Sequence, residues 1–322
     1  MANIEYRTLG RSGLIVSTVG LGCNNFGRKD TATETQEGTD AVIDAAIDAG
    51  VTLFDTADIY GKERGLSETL MGKALEGKRD RIVLATKFGM DMAGVNGPDW
   101  GVRGSRRYIR LAVESSLRRL RTDWIDLYQL HQPDPVTPIE ETLETLDDLI
   151  TEGKIRYIGH SNLTGWQIAE AEFTAQLHAH PKFISAQNEY SLLARDAERE
   201  VLPAVNRYGL GFLPYFPLYN GLFTGKFTRE GGPADSRIMN LRKHLLDNAP
   251  WDRMDRFQAF CDERGVSMLE ATFGWLLAQP GLSSVIAGAT KPEQIVANAY
   301  AATAWTPTPE EVETISQIFA RE

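Results

Sequence analysis

Eight short apolar runs, each followed by a longer amphipathic segment, punctuate the chain from Thr18 to Gly288. They are TVGLG at 18–22, VTLFDT at 51–56, IVLATK at 82–87, WIDLYQL at 124–130, IRYIGHS at 155–161, FISAQ at 183–187, LGFLPYF at 210–216 and SVIAG at 284–288. Each is too short for a stable helix and nearly continuous in apolar residues, as a strand covered on both faces must be. Strands alternating with helices over a chain of 322 residues predict a closed (β/α)8 TIM barrel. An open doubly wound sheet is the competing architecture, but GLGCNNFG places its glycines at 20, 22 and 27, so the third glycine of a dinucleotide-binding turn is misplaced. The leading EYRTLGRSGLIVST, with a turn near Ser12 and Gly13, predicts a β-hairpin plugging the N-terminal end of the barrel. No linker or low-complexity stretch divides residues 1–322, and one domain is expected.

Charge and cysteine content narrow the partners. With 44 acidic against 34 basic residues the net charge is -10, which argues against nucleic acid or an anionic membrane surface as the main partner. The opening MANIEYRTLGRSG lacks the apolar core of a signal peptide. The most apolar helical stretch, MLEATFGWLLA at 268–278, is interrupted by Glu270 and falls short of the roughly 20 residues that span a bilayer. Cys23 and Cys261 are far apart with no CxxC, which suggests neither a disulfide nor a zinc site and fits a cytoplasmic protein. His178 and His180, two apart, do not have the spacing of a helical metal pair, and no metal is expected.

The clearest helix start is Thr137, with Pro138 at the first helical position and Glu140 completing a capping box. Ile139, Leu143, Leu146 and Ile150 form its apolar stripe, and Gly153 supplies a left-handed stop. Two connections, 88–104 after the third strand and 217–250 after the seventh, are too long to be mere links, and long loops in compact domains are usually functional. Lys226, Arg229, Arg237, Arg242 and Lys243 give the second one a basic character that suits either a phosphate or a solvated surface.

Asp55, Tyr60, Lys87 and His131 lie at or just past the ends of three consecutive strands, and strand ends on one face of a parallel barrel converge. Any one of them could be a turn residue or a satisfied polar group; together they form a proton-donating set. Tyr60 is the acid, Lys87 the cation that lowers its pKa from about 10, Asp55 the partner that fixes Lys87, and His131 a hydrogen-bond donor to a carbonyl oxygen.

At these residues the chain resembles the aldo-keto reductase superfamily. LFDTADIYG at 53–61, ATKFG at 85–89 and WIDLYQLHQPD at 124–134 are similar to the family's motifs, as are GKIRYIGHSN at 153–162, QNEYSLL at 187–193, FLPYFPLYNGLFTGK at 212–226 and GATKPEQIVAN at 288–298. The resemblance implies reduction of a small aldehyde or ketone to an alcohol with NADPH, or possible NADH, as hydride source. It implies that Tyr60, Lys87, Asp55 and His131 are catalytic, that Ser161, Asn162 and Gln187 hydrogen-bond the nicotinamide carboxamide, and that Tyr215 stacks on the ring. Leu218, Gly221, Leu222, Thr224, Gly225 and Lys226, with Arg237, match a loop around the pyrophosphate; Gly288, Ala289, Thr290, Lys291, Gln294 and Asn298 match the adenosine side. Lys291 would pair with a 2'-phosphate and favour NADPH. Threonine at 290, where many relatives carry a base, and Phe216 in place of a serine depart from the pattern. Phe26, Phe88, Trp100 and Tyr219, with Trp251 and Trp305, are candidate substrate-pocket aromatics, and Ser161 and Asn162 are alternatively caps for a helix near Thr164. The family also includes cytoplasmic β-subunits of potassium channels, so a nicotinamide-binding regulatory subunit with little turnover is the alternative function. The physiological carbonyl, the oligomeric state and the direction of flux are left open.

Overall fold

The computed structural model describes residues 4–234 and 236–320, apart from the Arg237 side chain. In chain order its strands are β1 (Tyr6–Thr8), β2 (Ile15–Ser17), β3 (Val19–Gly22), β4 (Leu53–Asp55), β5 (Val83–Phe88), β6 (Ile125–Leu130), β7 (Ile155–Ser161), β8 (Ser185–Gln187), β9 (Gly211–Phe212) and β10 (Val285–Gly288). The helices are α1 (Gln36–Asp48), α2 (Leu66–Ala74), α3 (Arg106–Leu120), α4 (Ile139–Thr151), α5 (Gly165–His178), α6 (Val201–Tyr208), α7 (Arg237–Leu241), α8 (Lys243–Asp247), α9 (Trp251–Arg264), α10 (Met268–Leu277), α11 (Pro292–Ala304) and α12 (Pro309–Ile318). None is long and apolar enough to cross a membrane.

β3 to β10 form one parallel sheet in the order β10-β3-β4-β5-β6-β7-β8-β9. The ring closes where Ser283 N donates to Phe212 O at 3.0 Å and Ile286 N donates to Pro214 O at 3.2 Å. This is the (β/α)8 barrel that the alternation of runs predicts. β1 and β2 pair antiparallel, and the hairpin sends Leu9 and Val16 into the barrel's inner apolar cluster with Leu53, Ala85, Leu127, Leu213 and Ile286.

Strand parity divides the barrel's side chains between two environments. On β5, Ala85 belongs to the inner cluster, whereas Leu84 and Phe88 join the larger core between strands and helices. Lys87, two residues after Ala85, therefore points inward. Leu53 and Leu127 fix the same parity on β4 and β6, which turns Asp55 and Gln129 inward as well. The barrel is thus apolar near the plug and polar at the C-terminal ends of its strands.

The capping box at Thr137 does not form. Asp134 accepts from Val136 N at 2.8 Å, from Thr137 N at 3.2 Å and from Thr137 Oγ1 at 2.9 Å, and Pro138 becomes the cap of α4. The earlier carboxylate captures the threonine hydroxyl before the helix can use it. Gly153 does take the expected left-handed conformation, φ 75°.

His160, on the outward face of β7, is fully buried edge-on to Phe183 at 5.2 Å, and neither ring nitrogen has a hydrogen-bond partner. Burial pushes its pKa down to about 3. The unfolded chain therefore binds a proton that the folded chain refuses between about pH 6.5 and 3, so stability falls as pH falls through this window. Between pH 7 and 5 this residue should account for about 2 kcal/mol of the loss. Urea unfolding at the two pH values should show a correspondingly weaker pH dependence in His160→Leu; an unchanged dependence would mean that the folded imidazole already accepts the proton.

Candidate active site

Lys87 is 0% exposed, so its ammonium must be neutralised by the protein itself. Its Nζ donates to Asp55 Oδ2 at 2.7 Å and to Thr56 O at 2.8 Å. Asp55, 3% exposed, accepts on its other oxygen from Gln129 Nε2 and Gln187 Nε2, each at 3.1 Å. Both carboxylate oxygens are thereby satisfied. The two glutamines reach it because Lys87 and Gln129 are register partners, as are Ser161 and Gln187. Between them Gly159 leaves the necessary room: a Cβ there would lie 2.2 Å from Ser185 Oγ and 3.2 Å from Gln129 Cγ.

Tyr60 and His131 complete the group. Lys87 Nζ lies 5.2 Å from the centre of the Tyr60 ring, and the Tyr60 and His131 rings meet edge to face at 5.8 Å. Tyr60 sits on the loop between β4 and α2, held by Tyr60 N donating to Ala57 O and Ser67 N donating to Tyr60 O. His131, one residue past β6, is anchored by its N–H donating to Phe88 O at 2.8 Å. All four residues singled out at strand ends are therefore adjacent in space.

Their electrostatics are set by burial against one fixed pair. Burial raises the Tyr60 phenol, Lys87 lowers it and Asp55 raises it again, so its pKa stands above the ordinary tyrosine value. Lys87 does act in the expected direction, but burial outweighs it. For Lys87 itself burial favours the neutral amine, yet Asp55 and Tyr60 together raise its pKa and keep the ammonium. Burial and the neighbouring Lys87 hold His131 well below the usual imidazole range, and its Nδ1 has no partner. A neutral imidazole can donate a hydrogen bond without competing as an acid.

A polar shelf continues from this centre. Ser161 Oγ donates to Gln187 O at 2.7 Å, and Asn162 Nδ2 donates to His131 O at 2.9 Å. Tyr215 Oη donates to Asn162 Oδ1 at 2.9 Å, which fixes the half-buried Tyr215 ring beside the site. Ser161 and Asn162 are not the caps of α5; Gln167 Oε1 accepts from Thr164 N in that role.

The remaining cofactor candidates are less uniform. Residues 218–225 form a tight turn in which Tyr219, Asn220, Gly221 and Gly225 all have positive φ, Leu222 is buried and Thr224 Oγ1 donates to Gly221 O at 2.6 Å. Asn220 Oδ1 is buried there without a partner. Lys226 is exposed. The Arg237 side chain lies outside the described residues. At Gly288 a Cβ would come within 2.9 Å of Asn25 Nδ2. Ala289 and Asn298 are buried, and Gln294 Oε1 accepts from Thr290 N at 2.7 Å and Lys291 N at 3.3 Å, closing the start of α11.

The aromatic assignments need correction. Phe88 is fully buried against Tyr128, ring centres 4.7 Å apart, because it has the opposite parity to Lys87 and faces the helices. Phe26 is likewise sealed in the outer core, which Trp251 and Trp305 cover from its edge. Neither phenylalanine is open to a ligand. Trp100 is 73% exposed with the Arg107 guanidinium 4.4 Å over its ring, and Tyr219 is half-buried. Gln129 escaped the sequence reading altogether, although it precedes His131 by two and so shares its inward face.

Residues 18–320 match the Aldo/keto reductase family. The chain is 38% identical over 301 residues to an uncharacterized oxidoreductase, YrpG, of Bacillus subtilis (strain 168), covering 91% of this chain and 89% of that protein. It is 36% identical over 305 residues to a probable voltage-gated potassium channel subunit beta of Oryza sativa subsp. japonica, with 92% and 90% covered. A third relative, the aldo-keto reductase YhdN of Bacillus subtilis, is 35% identical over 326 residues, covering 98% and 93%.

Lys87→Met should leave the Asp55 carboxylate buried without its cation and cost about 3–5 kcal/mol in chemical denaturation. Adding Asp55→Asn should restore a large part of that. Equal stability of the single variant and the parent would show that the pair does not organise the barrel mouth.

Proposed function

Because the chain belongs to the aldo/keto reductase family, whose members are NAD(P)H oxidoreductases acting on small carbonyl compounds, we propose that it reduces an aldehyde or ketone to an alcohol with NADPH, Tyr60 serving as general acid. The observation that carries this is the placement of a fully buried ammonium, Lys87, between the Asp55 carboxylate and the Tyr60 ring.

The residues present suit a nicotinamide nucleotide. The half-buried Tyr215 ring is held by Asn162 and would stack on the nicotinamide, while Ser161, Asn162 and Gln187 would bind its carboxamide. The unpartnered Asn220 oxygen in a turn built on left-handed glycines marks polar capacity that the folded chain leaves unused, which suits the diphosphate with Lys226 and Arg237. Thr290, Lys291 and Asn298 would hold the adenosine side, and Lys291 at the start of α11 would meet a 2'-phosphate. The bound nicotinamide supplies the hydride.

The chain supplies the rest. A carbonyl oxygen placed between Tyr60 Oη and His131 accepts a hydrogen bond from each. As negative charge grows on that oxygen, the Tyr60 proton moves to it, and Lys87 stabilises the phenolate left behind. Asp55 holds Lys87 rather than taking part in the transfer, and its two amide donors keep it oriented. The same account takes residues 1–322 as one cytoplasmic reductase domain.

A second role, cofactor-dependent regulation with little turnover, is raised by the resemblance to the rice protein whose name is a potassium channel subunit beta. Turnover separates the two. Tyr60→Phe should lower reduction of 4-nitrobenzaldehyde by about 10²–10⁴-fold while NADPH affinity changes less than about twofold. Unchanged turnover would remove Tyr60 from the chemistry; absence of turnover in the parent protein, with NADPH bound tightly, would favour regulation.

A further inference from the structure

Two arginines at the mouth of the site have no carboxylate partner. Arg28 follows β3 on a segment stitched to the Tyr60 loop by Lys62 N donating to Gly27 O at 2.9 Å. Its half-buried guanidinium makes one hydrogen bond, from Nη2 to Asn24 O at 3.4 Å. Arg242, between α7 and α8, is also half-buried and places its guanidinium carbon 5.6 Å from the centre of the Phe216 ring, next to Tyr215. Among the described residues neither forms an ion pair. Three other cations of these loops are paired: Lys62 with Glu34 at 2.8 Å, Arg103 with Asp99 at 2.6 Å, and Arg229 with Asp252 at 2.8 Å and Asp255 at 2.6 Å.

Both flank the proposed acid and its neighbours, Arg28 on the segment bonded to the Tyr60 loop and Arg242 over Phe216, beside Tyr215. Burial and then Arg242 lower the affinity of Arg28 for its proton, and Tyr60 acts in the other direction. Arg242 and the proposed acid are thus the charged groups that act on Arg28. Glu189, exposed two residues past β8, feels the charge of Arg242 but makes no ion pair with it. Two half-buried cations held together without a counter-ion are unfavourable unless a ligand brings one, since an oxyanion shared by two guanidinium groups is bound far more strongly than by either alone.

We propose that Arg28 and Arg242 form a clamp for the acid group of the substrate, so that the preferred carbonyl compound carries a carboxylate or phosphate at one end while its carbonyl oxygen meets Tyr60 and His131. The clamp rests on carbonyl reduction at Tyr60 and adds a substrate class to it. It also accounts for how an acidic chain, net charge -10, attracts an anionic substrate: a local cationic pair at the entrance offsets the overall field.

The test compares 4-carboxybenzaldehyde with 4-methylbenzaldehyde at saturating NADPH, in the parent protein, Arg28→Gln, Arg242→Gln and the double variant. The parent should favour the carboxylate by about tenfold or more in kcat/KM, and each single variant should lower that ratio by about tenfold, as expected for losing a charge-assisted contact. Arg28→Lys should keep part of the preference. A ratio that is unchanged in all variants would overturn the clamp. So would a tenfold loss of NADPH affinity with the ratio preserved, which would assign the pair to the cofactor's phosphates. Should the parent reduce neither aldehyde, carbonyl reduction fails separately, and the clamp is then judged by calorimetry of 4-methylbenzoate with the NADPH complex: binding to the parent and not to the double variant supports it, and equal binding or none overturns it.

Discussion

An ammonium with no exposed surface, inside a ring of eight strands, dictates most of what surrounds it. Moving an isolated charge of that kind out of water costs several kcal/mol even after relaxation, so Lys87 is tolerable only with a full set of partners. Asp55 and the Thr56 carbonyl provide them on one side, and the Tyr60 ring lies on another. Asp55 in turn draws in Gln129 from β6 and Gln187 from β8, across the barrel. Gly159 is small because the Ser185 and Gln129 side chains need its space. The geometry of the proposed acid is thus a consequence of solving one burial problem.

The same constraint explains why the polar residues collect at one end. The hairpin fills the N-terminal end with Leu9 and Val16, and the inner cluster stops one inward position below Lys87, at Ala85. Above that layer every inward side chain must be polar and partnered or face the open mouth. Gln187 links the two halves of the site, with its side chain on Asp55 and its carbonyl accepting from Ser161. Tyr215, Asn162 and His131 follow by successive hydrogen bonds, so the proposed cofactor shelf joins the network that holds Lys87. Arg28 and Arg242 stand outside it, with no ion pair among the described residues.

Strands covered on both faces are legible as uninterrupted apolar runs, and all eight barrel strands appear where those runs are. The last of the long runs, LGFLPYF, is regular only over Gly211–Phe212, yet its pairing continues through Leu213 and Tyr215 donating to Ala186 and Asn188 carbonyls. Asp55, Tyr60, Lys87 and His131 were visible because strand ends locate a site without any loop geometry. Phe88 was misplaced because proximity to a strand end was weighed without parity, which puts it on the opposite face from Lys87, and Phe26, past the end of β3, packs into the outer core. Gln129 was missed for the same reason in reverse. The Thr137 cap failed because Asp134, a competing acceptor three residues earlier, is as local as the cap itself. Charge content alone could not sort the basic loop: Arg229 is paired by acids over 20 residues away in sequence, whereas Arg242 is not.

Lys87 lowers the pKa of a buried Tyr60 against the opposing effect of burial. Labelling the tyrosines with ¹³C at Cζ and identifying Tyr60 by its loss in Tyr60→Phe allows its phenol to be titrated directly by NMR in the free protein and in Lys87→Met. The midpoint should lie above the ordinary tyrosine value of about 10 in the parent and rise further when Lys87 is removed. A midpoint that stays in place, or falls, without Lys87 would contradict it.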